Sequence, residues 1–285
     1  PEWAFVSAVE NDIELSVFTK EHINTCLSTF NRLNKKPVIH VKVDTGMHRI
    51  GIPYQQAVSF IKEISKIDCI ELKGAFTHLA CAENSRETQV QKRAWQDVID
   101  GIKGMNLILH AANTSGLIQY NDMHYDMVRA GIGIYGLMPD FDKSFMEKPD
   151  LKQVMSLKGR IVHIQDLPAG CGVSYGYSYV TGKKTTKIAT IPVGYADGVP
   201  RTLSNNIYGI INGKKIKQIG NITMDQMMFD ISDVENAEIG DIITLLGKDS
   251  QEFISIDDWA RKINTINYEI PCRLKVRLPR VYTRN

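Results

Sequence analysis

The sequence predicts an α/β chain in which parallel βα units of barrel type give way, near residue 150, to a mainly β domain. Two patterns carry this reading. Up to about residue 140, short β-branched runs alternate with stretches whose apolar residues recur at helical spacing, the signature of βα units on a parallel sheet. Beyond Pro149 the helical periodicity fades, and brief β-branched stretches are separated by Gly, Asn and Asp, the turn chemistry of antiparallel strands. The chain therefore divides into residues 1–150, a βα portion, and 151–285, a β domain, with Asp140 to Lys152 as connector.

Taken in order, Phe5 to Val9 already reads like the interior of a fold, and with Pro1 at the head the chain is expected to lack its natural start. Pro37 to Val43 is short and β-branched and runs into Asp44-Thr45-Gly46, a strand followed by turn chemistry. Ala57, Val58, Ile61, Ile64 and Ile67 then form one apolar helical stripe, and Ile70 to Phe76 is the next strand. Asn84 is the expected N-cap of a further helix, with Glu87 completing a capping box and Val90, Ala94, Val98 and Ile102 forming the buried face. Leu107 to His110 and Tyr125 to Val128 are further short strands.

In the second half the expected strands are Arg160 to Ile164, Thr186 to Ile191, Tyr208 to Ile211, Met227 to Ile231 and Asp241 to Leu246. Asn212-Gly213, two residues that accept positive φ, marks a hairpin, and one helix around Ile256 to Ile263 interrupts the series.

Composition narrows the function. Over 285 residues, 43% hydrophobic and 23% charged content is that of a packed globular chain and excludes disorder. With 34 basic against 32 acidic residues, the formal charge of +2 gives no electrostatic case for nucleic acid or an anionic membrane. No apolar run approaches the roughly 20 residues that span a bilayer. Cys26, Cys69, Cys81, Cys171 and Cys272 are odd in number and contain no C-x-x-C pair, so neither a disulfide framework nor a metal site is expected, and the cytoplasm is the simplest location.

Ligands of parallel βα folds gather at the carboxyl ends of the strands. Lys42 and Arg49 follow one strand, His78 the next, His110, Asn113 and Thr114 a third, and Arg129 a fourth. Singly, each has an ordinary structural reading; together they converge. Gly131 to Gly136 matches G-x-G-x-x-G, but Leu137, Met138 and Pro139 follow where a dinucleotide fingerprint needs a helix. Two readings stay open there: backbone N–H groups approaching a phosphate, or close backbone packing at a barrel corner. Tyr175, between Ser174 and Gly176, is the most interesting aromatic, since a phenol acts as a base only where its surroundings lower a pKa near ~10.

Read together, these segments resemble bacterial alanine racemase. The matching pieces are V-K-V-D-T-G-M-H-R-I-G (41–51), F-T-H-L-A-C-A (76–82), H-A-A-N-T (110–114), M-V-R-A-G-I-G-I-Y-G (127–136), V-S-Y-G (173–176), I-P-V-G-Y-A-D-G-V-P-R (191–201), M-D-Q (224–226) and I-N-Y-E-I-P-C (266–272), in family order along nearly the whole chain. The resemblance implies a TIM-type (β/α)8 barrel followed by a β domain, pyridoxal 5'-phosphate as cofactor, and a homodimer with shared active sites that interconverts L- and D-alanine for peptidoglycan. It implies that Arg129 faces the pyridine nitrogen, with His78 behind it. Thr114, Gly131, Ile132 and Tyr268 fall at phosphate-contacting positions. Tyr175 matches a proton base delivered, like Met224 and Asp225, by the second subunit. Arg49 would reach the substrate carboxylate, Lys42 matches a position often carbamylated, and Tyr195, Arg201 and Tyr268 would line the entry corridor.

One departure bears on activity. The family's cofactor lysine lies in an early K-A-N-A-Y-G-type segment that has no counterpart in these 285 residues. The barrel is expected to be incomplete, with roughly three of eight βα units missing before Pro1 and the chain inactive alone. The alternatives are a serine racemase of the same fold, Lys42 itself as the cofactor lysine, or a non-catalytic remnant or half of a split protein.

Overall fold

The structure, a computed structural model, describes residues 2–139 and 149–283. Pro1 and the 140–148 part of the expected connector lie outside the described residues. The chain forms two compact units. The first holds the described residues up to Ile134 with Pro139 and 149–150; the second holds Tyr135–Met138 and the described residues from Leu151 onward.

The first unit begins with α1 (Phe5–Glu10), β1 (Leu15–Val17) and α2 (Lys20–Leu33), followed by β2 (Val38–Asp44), β3 (Ile52–Pro53) and α3 (Tyr54–Ile64). It continues with β4 (Glu71–Phe76), α4 (Ser85–Gly101), β5 (Ile108–His110) and α5 (Thr114–Gln119). Its sheet has the order β1-β2-β4-β5, with β3 beside β2 and every pairing parallel. Residues 39–43 of β2 are all buried, as both faces of a covered parallel strand must be. Trp95, Ile39, Ile61 and Ile64 fill the core between sheet and helices.

Four expectations need correction here. No element was expected over β1 and α2, because α2 buries only Ile23, Cys26 and Thr29, a stripe poor in aliphatic residues. Asn84 does cap α4, its side chain accepting from the Arg86 and Glu87 N–H groups, but no reciprocal bond from Glu87 closes a capping box. Val90 is 58% exposed, and Gln91 takes its place on the buried face. Tyr125 to Val128 is reduced to a single parallel bridge, His110 with Met127, because the Asp126 carboxylate accepts the Leu109 N–H at 2.8 Å, the donor a ladder would have used.

The second unit contains β6 (Leu157–Arg160), β7 (His163–Leu167), β8 (Gly172–Val173), β9 (Tyr179–Val180), β10 (Thr186–Ile191), β11 (Tyr208–Ile211), β12 (Lys214–Ile219), β13 (Met227–Asp230), β14 (Ile242–Asp249) and β15 (Glu252–Ile254), then α6 (Ile256–Lys262) and α7 (Glu269–Arg273). Its main sheet is antiparallel, in the order β15-β14-β11-β12-β13-β10-β7, with β6 on β14. The strand expected over Arg160 to Ile164 is broken at Ile161. There the chain leaves β14 and joins β10, and because β6 and β7 are contiguous the circuit of strands closes on itself. Asn212 and Gly213, at φ 49° and 73°, make the expected tight hairpin between β11 and β12.

Tyr135–Met138 belongs with this unit through specific bonds. The Val154 N–H donates to the Tyr135 carbonyl, and Asn267 Nδ2 donates to the Met138 carbonyl at 2.7 Å. Gly136, at φ +70°, passes so close to Lys152 that a Cβ would lie 1.7 Å from its carbonyl oxygen.

Ile61, fully buried in the first core, and Val90 test the corrected helix faces. Ile61→Ala should lower unfolding free energy by about 2–5 kcal/mol. Val90→Ala should change it by less than about 0.5 kcal/mol. Urea denaturation measures both.

Candidate active site

In the first unit the polar residues meet where the parallel strands end. Arg129 Nη1 donates to His110 Nδ1 at 2.6 Å, while Nη2 donates to the carbonyls of Thr77 (2.7 Å) and Ala111 (3.0 Å) and lies 3.4 Å from His78 Nδ1. Thr77 and Ala111 are the first residues past β4 and β5, so their carbonyls have left the ladder and take the guanidinium's donors instead. Every one of these acceptors is neutral. Burial lowers the Arg129 pKa to about 10, which leaves it cationic at neutral pH.

The Phe76 ring supports this cluster. It stacks on His110 with centroids 4.7 Å apart, and the Arg129 guanidinium and Lys42 ammonium lie 5.1 and 5.6 Å from its centroid. Lys42 is buried on β2, and desolvation, then the charges of Arg49 and Arg129, pull its pKa down. The same environment pushes His78 to about 4, through burial and then Arg129, Lys42 and Arg49. His110 falls to about 3, chiefly through burial and Arg129. Arg49 is exposed on the loop after β2.

Thr114, at the start of α5, is buried, and its hydroxyl accepts the N–H groups of Gly131 (2.9 Å) and Gly133 (3.3 Å). Ile132 is buried in the turn between these two glycines. A Cβ on Gly133 would lie 2.9 Å from Thr114 Cγ2, so the glycine is needed for the close approach. The turn over Ile132–Tyr135 is 3-10, and no helix opens over the described residues Gly136 to Pro139, where a dinucleotide fingerprint would need one.

Gln91 was missed by sequence reasoning. Its amide nitrogen donates to Thr45 Oγ1 and to the His78 carbonyl, both at 3.1 Å, and its amide oxygen accepts from the Ala80 N–H at 2.8 Å. It braces the loops after β2 and β4 that carry Arg49 and His78. The available signal was a glutamine one position from the expected apolar stripe.

In the second unit, Tyr175 is 74% exposed on a short turn built from positive-φ residues: Ser174 (65°), Gly176 (69°) and Tyr177 (47°). Asn221 holds that turn, its Nδ2 donating to the Tyr175 carbonyl and its own carbonyl accepting from Ser174 Oγ. Tyr195, Met224 and Asp225 are brought together. The Tyr195 N–H donates to the Thr223 carbonyl, Ala196 to that of Met224, and Arg277 bridges Asp225 (2.7 Å) and the buried Asp197 (3.3 Å). Arg201 lies on the turn that follows, and Tyr268 at the head of α7. Among the described residues, no group of three His, Cys, Asp or Glu side chains is placed to hold a metal ion, and no helix is long and apolar enough to cross a membrane.

Residues 1–139 match the profile of the alanine racemase N-terminal domain and residues 154–282 that of the alanine racemase C-terminal domain. An alanine racemase of Methanococcus maripaludis is 40% identical over 280 residues, covering 96% of this chain and 74% of its own length. One from Halothermothrix orenii is 40% identical, with 91% of this chain and 68% of the relative covered. The crystal structure of the Bacillus anthracis alanine racemase with bound L-Ala-P superposes with a TM-score of 0.88 at 31% identity, covering 100% of this chain and 74% of that one.

The Thr114 cradle should behave as one packed unit. Gly133→Ala should destabilise the chain by about 1–3 kcal/mol through overpacking. Adding Thr114→Ser, which removes the clashing methyl, should recover most of that loss in urea denaturation. Histidine titration gives a second check. His78 and His110 have native pKa values below that of the unfolded chain, so the unfolded state binds more protons as pH falls. Their contribution to stability should be intact above about pH 6.5 and decline toward pH 4, and both rings should remain neutral by NMR at pH 5.5.

Proposed function

The chain belongs to the alanine racemase family of amino-acid racemases, and we propose that it serves the interconversion of L- and D-alanine with pyridoxal 5'-phosphate, providing D-alanine for peptidoglycan in the cytoplasm. The observation that carries this reading is Arg129, a half-buried cation bonded, among the described residues, to neutral acceptors, beside Lys42 and the Thr114 cradle. That donor set fits an anionic cofactor with a ring nitrogen that accepts.

The cofactor, when bound, supplies an electron sink that lets the α-proton of an amino acid leave. Arg129 would face the pyridine nitrogen. A guanidinium donates a hydrogen bond there yet does not give up its proton, which restrains the sink and favours returning the proton to carbon. Thr114, the backbone of Gly131 and Ile132, and Tyr268 would hold the phosphate. Tyr175 would take or return the proton on one face of the substrate. Arg49 would bind the carboxylate, with Lys42, as its carbamate, holding Arg49 in place. The lowered Lys42 pKa supports this, because only a neutral amine combines with carbon dioxide. The exposure of Tyr175 on a rigid turn supports its delivery to a second copy of the chain, together with Met224 and Asp225, in a homodimer. Tyr195 and Arg201 would line the approach.

The second base is proposed to be a lysine that these 285 residues do not contain. On their own, supplied with cofactor and reduced with borohydride, they should show no racemisation and no pyridoxyl label on Lys42; label there would make Lys42 the cofactor lysine. A chain that also carries such a lysine should turn over L-alanine faster than L-serine by circular dichroism. A preference for serine would move the assignment to serine racemisation, and no turnover of either would defeat it. In that protein Tyr175→Phe should lower kcat about 10²–10⁴-fold. Carbon-13 bicarbonate should give a carbamate signal that Lys42→Arg removes.

A further inference from the structure

Behind Arg129 the hydrogen bonds continue across the sheet. His110 Nε2 lies 3.0 Å from His40 Nδ1, and His40 Nε2 lies 2.8 Å from Glu14 Oε2. Glu14, the residue before β1, also pairs with Lys73, the third residue of β4. The chain thus runs from the amino end of the sheet to the carboxyl end, where Arg129 sits.

Its direction is fixed by chemistry. Arginine has donors only, so His110 Nδ1 must accept and its proton must be on Nε2. His40 Nδ1 must then accept that proton's hydrogen bond, which puts the His40 proton on Nε2, facing a carboxylate that accepts. Protonating either ring would set two donors against each other. Burial and then the charge of Arg129 keep His110 neutral, with its pKa down to about 3. Hydrogen bonding from Lys73 holds Glu14 below the usual carboxylate range.

The fold makes room for this arrangement. His40 pairs with Gly74 across β2 and β4, and a Cβ at Gly74 would lie 2.4 Å from His40 Nδ1 and 2.5 Å from the Ile108 carbonyl oxygen. We propose that Glu14, His40 and His110 are positioning residues: a one-directional relay that locks both imidazoles as Nε2–H tautomers and holds the Arg129 guanidinium toward the cofactor. The purpose assigned to the relay rests on the racemase reading; its geometry does not.

Nitrogen-15 NMR of the histidine rings in the 285-residue chain, without cofactor, tests it at pH 7. Both rings should be neutral and protonated at Nε2. Glu14 is half exposed, so Glu14→Leu should leave the fold intact while raising the minor tautomer of His40 about tenfold, the loss expected for one charge-assisted bond. Glu14→Gln, whose carbonyl still accepts, should restore the wild-type signature. His40→Leu should speed water exchange of the Arg129 Nη protons about tenfold, and His40→Asn, which offers His110 an acceptor, should not. A proton on His110 Nδ1, a doubly protonated ring, or unchanged tautomers in Glu14→Leu would overturn the relay. In the active protein His40→Leu should lower kcat with little change in KM, and an unchanged kcat would remove the relay's role in positioning. If the ring signatures hold while alanine is not racemised, the functional reading fails and the relay stands.

Discussion

A guanidinium half-buried without a carboxylate partner is costly to place, and the first unit surrounds that of Arg129 with neutral acceptors. Carbonyls at the end of a parallel sheet are what is available, because the ladder stops after Phe76 and His110 and leaves Thr77 and Ala111 with open acceptors. The sheet's termination and the cation's solvation are therefore one feature. Phe76 adds its ring face to both Arg129 and Lys42, so one aromatic stabilises two positive charges that repel each other.

The second unit solves a different problem, presenting polar side chains from an antiparallel framework whose interior is apolar. Short positive-φ turns do this. Ser174 to Tyr177 turn the chain so tightly that Tyr175 has nowhere to go but outward, and Gly172 must be glycine because a Cβ there would lie 2.3 Å from the Tyr177 ring. Around Gly194 to Gly198 the approach is equally close: a Cβ on Gly194 would lie 2.4 Å from the Met224 carbonyl oxygen, and one on Gly198 2.0 Å from that of Arg273. Arg277 then closes the cluster by bridging Asp197 and Asp225.

Periodicity made the strands and the capped helices legible, and motif order made the family legible. What escaped depends on partners that lie far away in sequence. Whether Val90 or Gln91 faces inward is decided by Thr45, His78 and Ala80, which offer polar groups that a glutamine can satisfy and a valine cannot. Tyr125 to Val128 has strand-like residues, yet the Asp126 side chain intercepts the hydrogen bond that would have extended the ladder. Arg160 to Ile164 reads as one β-branched run, but its break marks the corner where the strand changes partners, and composition carries no trace of that. The pairing of Thr114 with the Gly131 and Gly133 N–H groups likewise depends on the curl of a 3-10 turn.

The charge balance of the first site explains why such a constellation persists. Lys42 feels the charges of Arg49 and Arg129, which lower its pKa, and that of Asp44, which raises it. Three cations against one acid leave a net positive charge around Lys42, which an anionic ligand would offset. Binding to the folded state alone shifts the folding equilibrium toward it, in proportion to the logarithm of ligand concentration over Kd. A net positive site of this kind would favour phosphate and carboxylate groups over neutral ones. The repulsion that Lys42 feels from Arg49 and Arg129 would thus become part of the affinity for an anion.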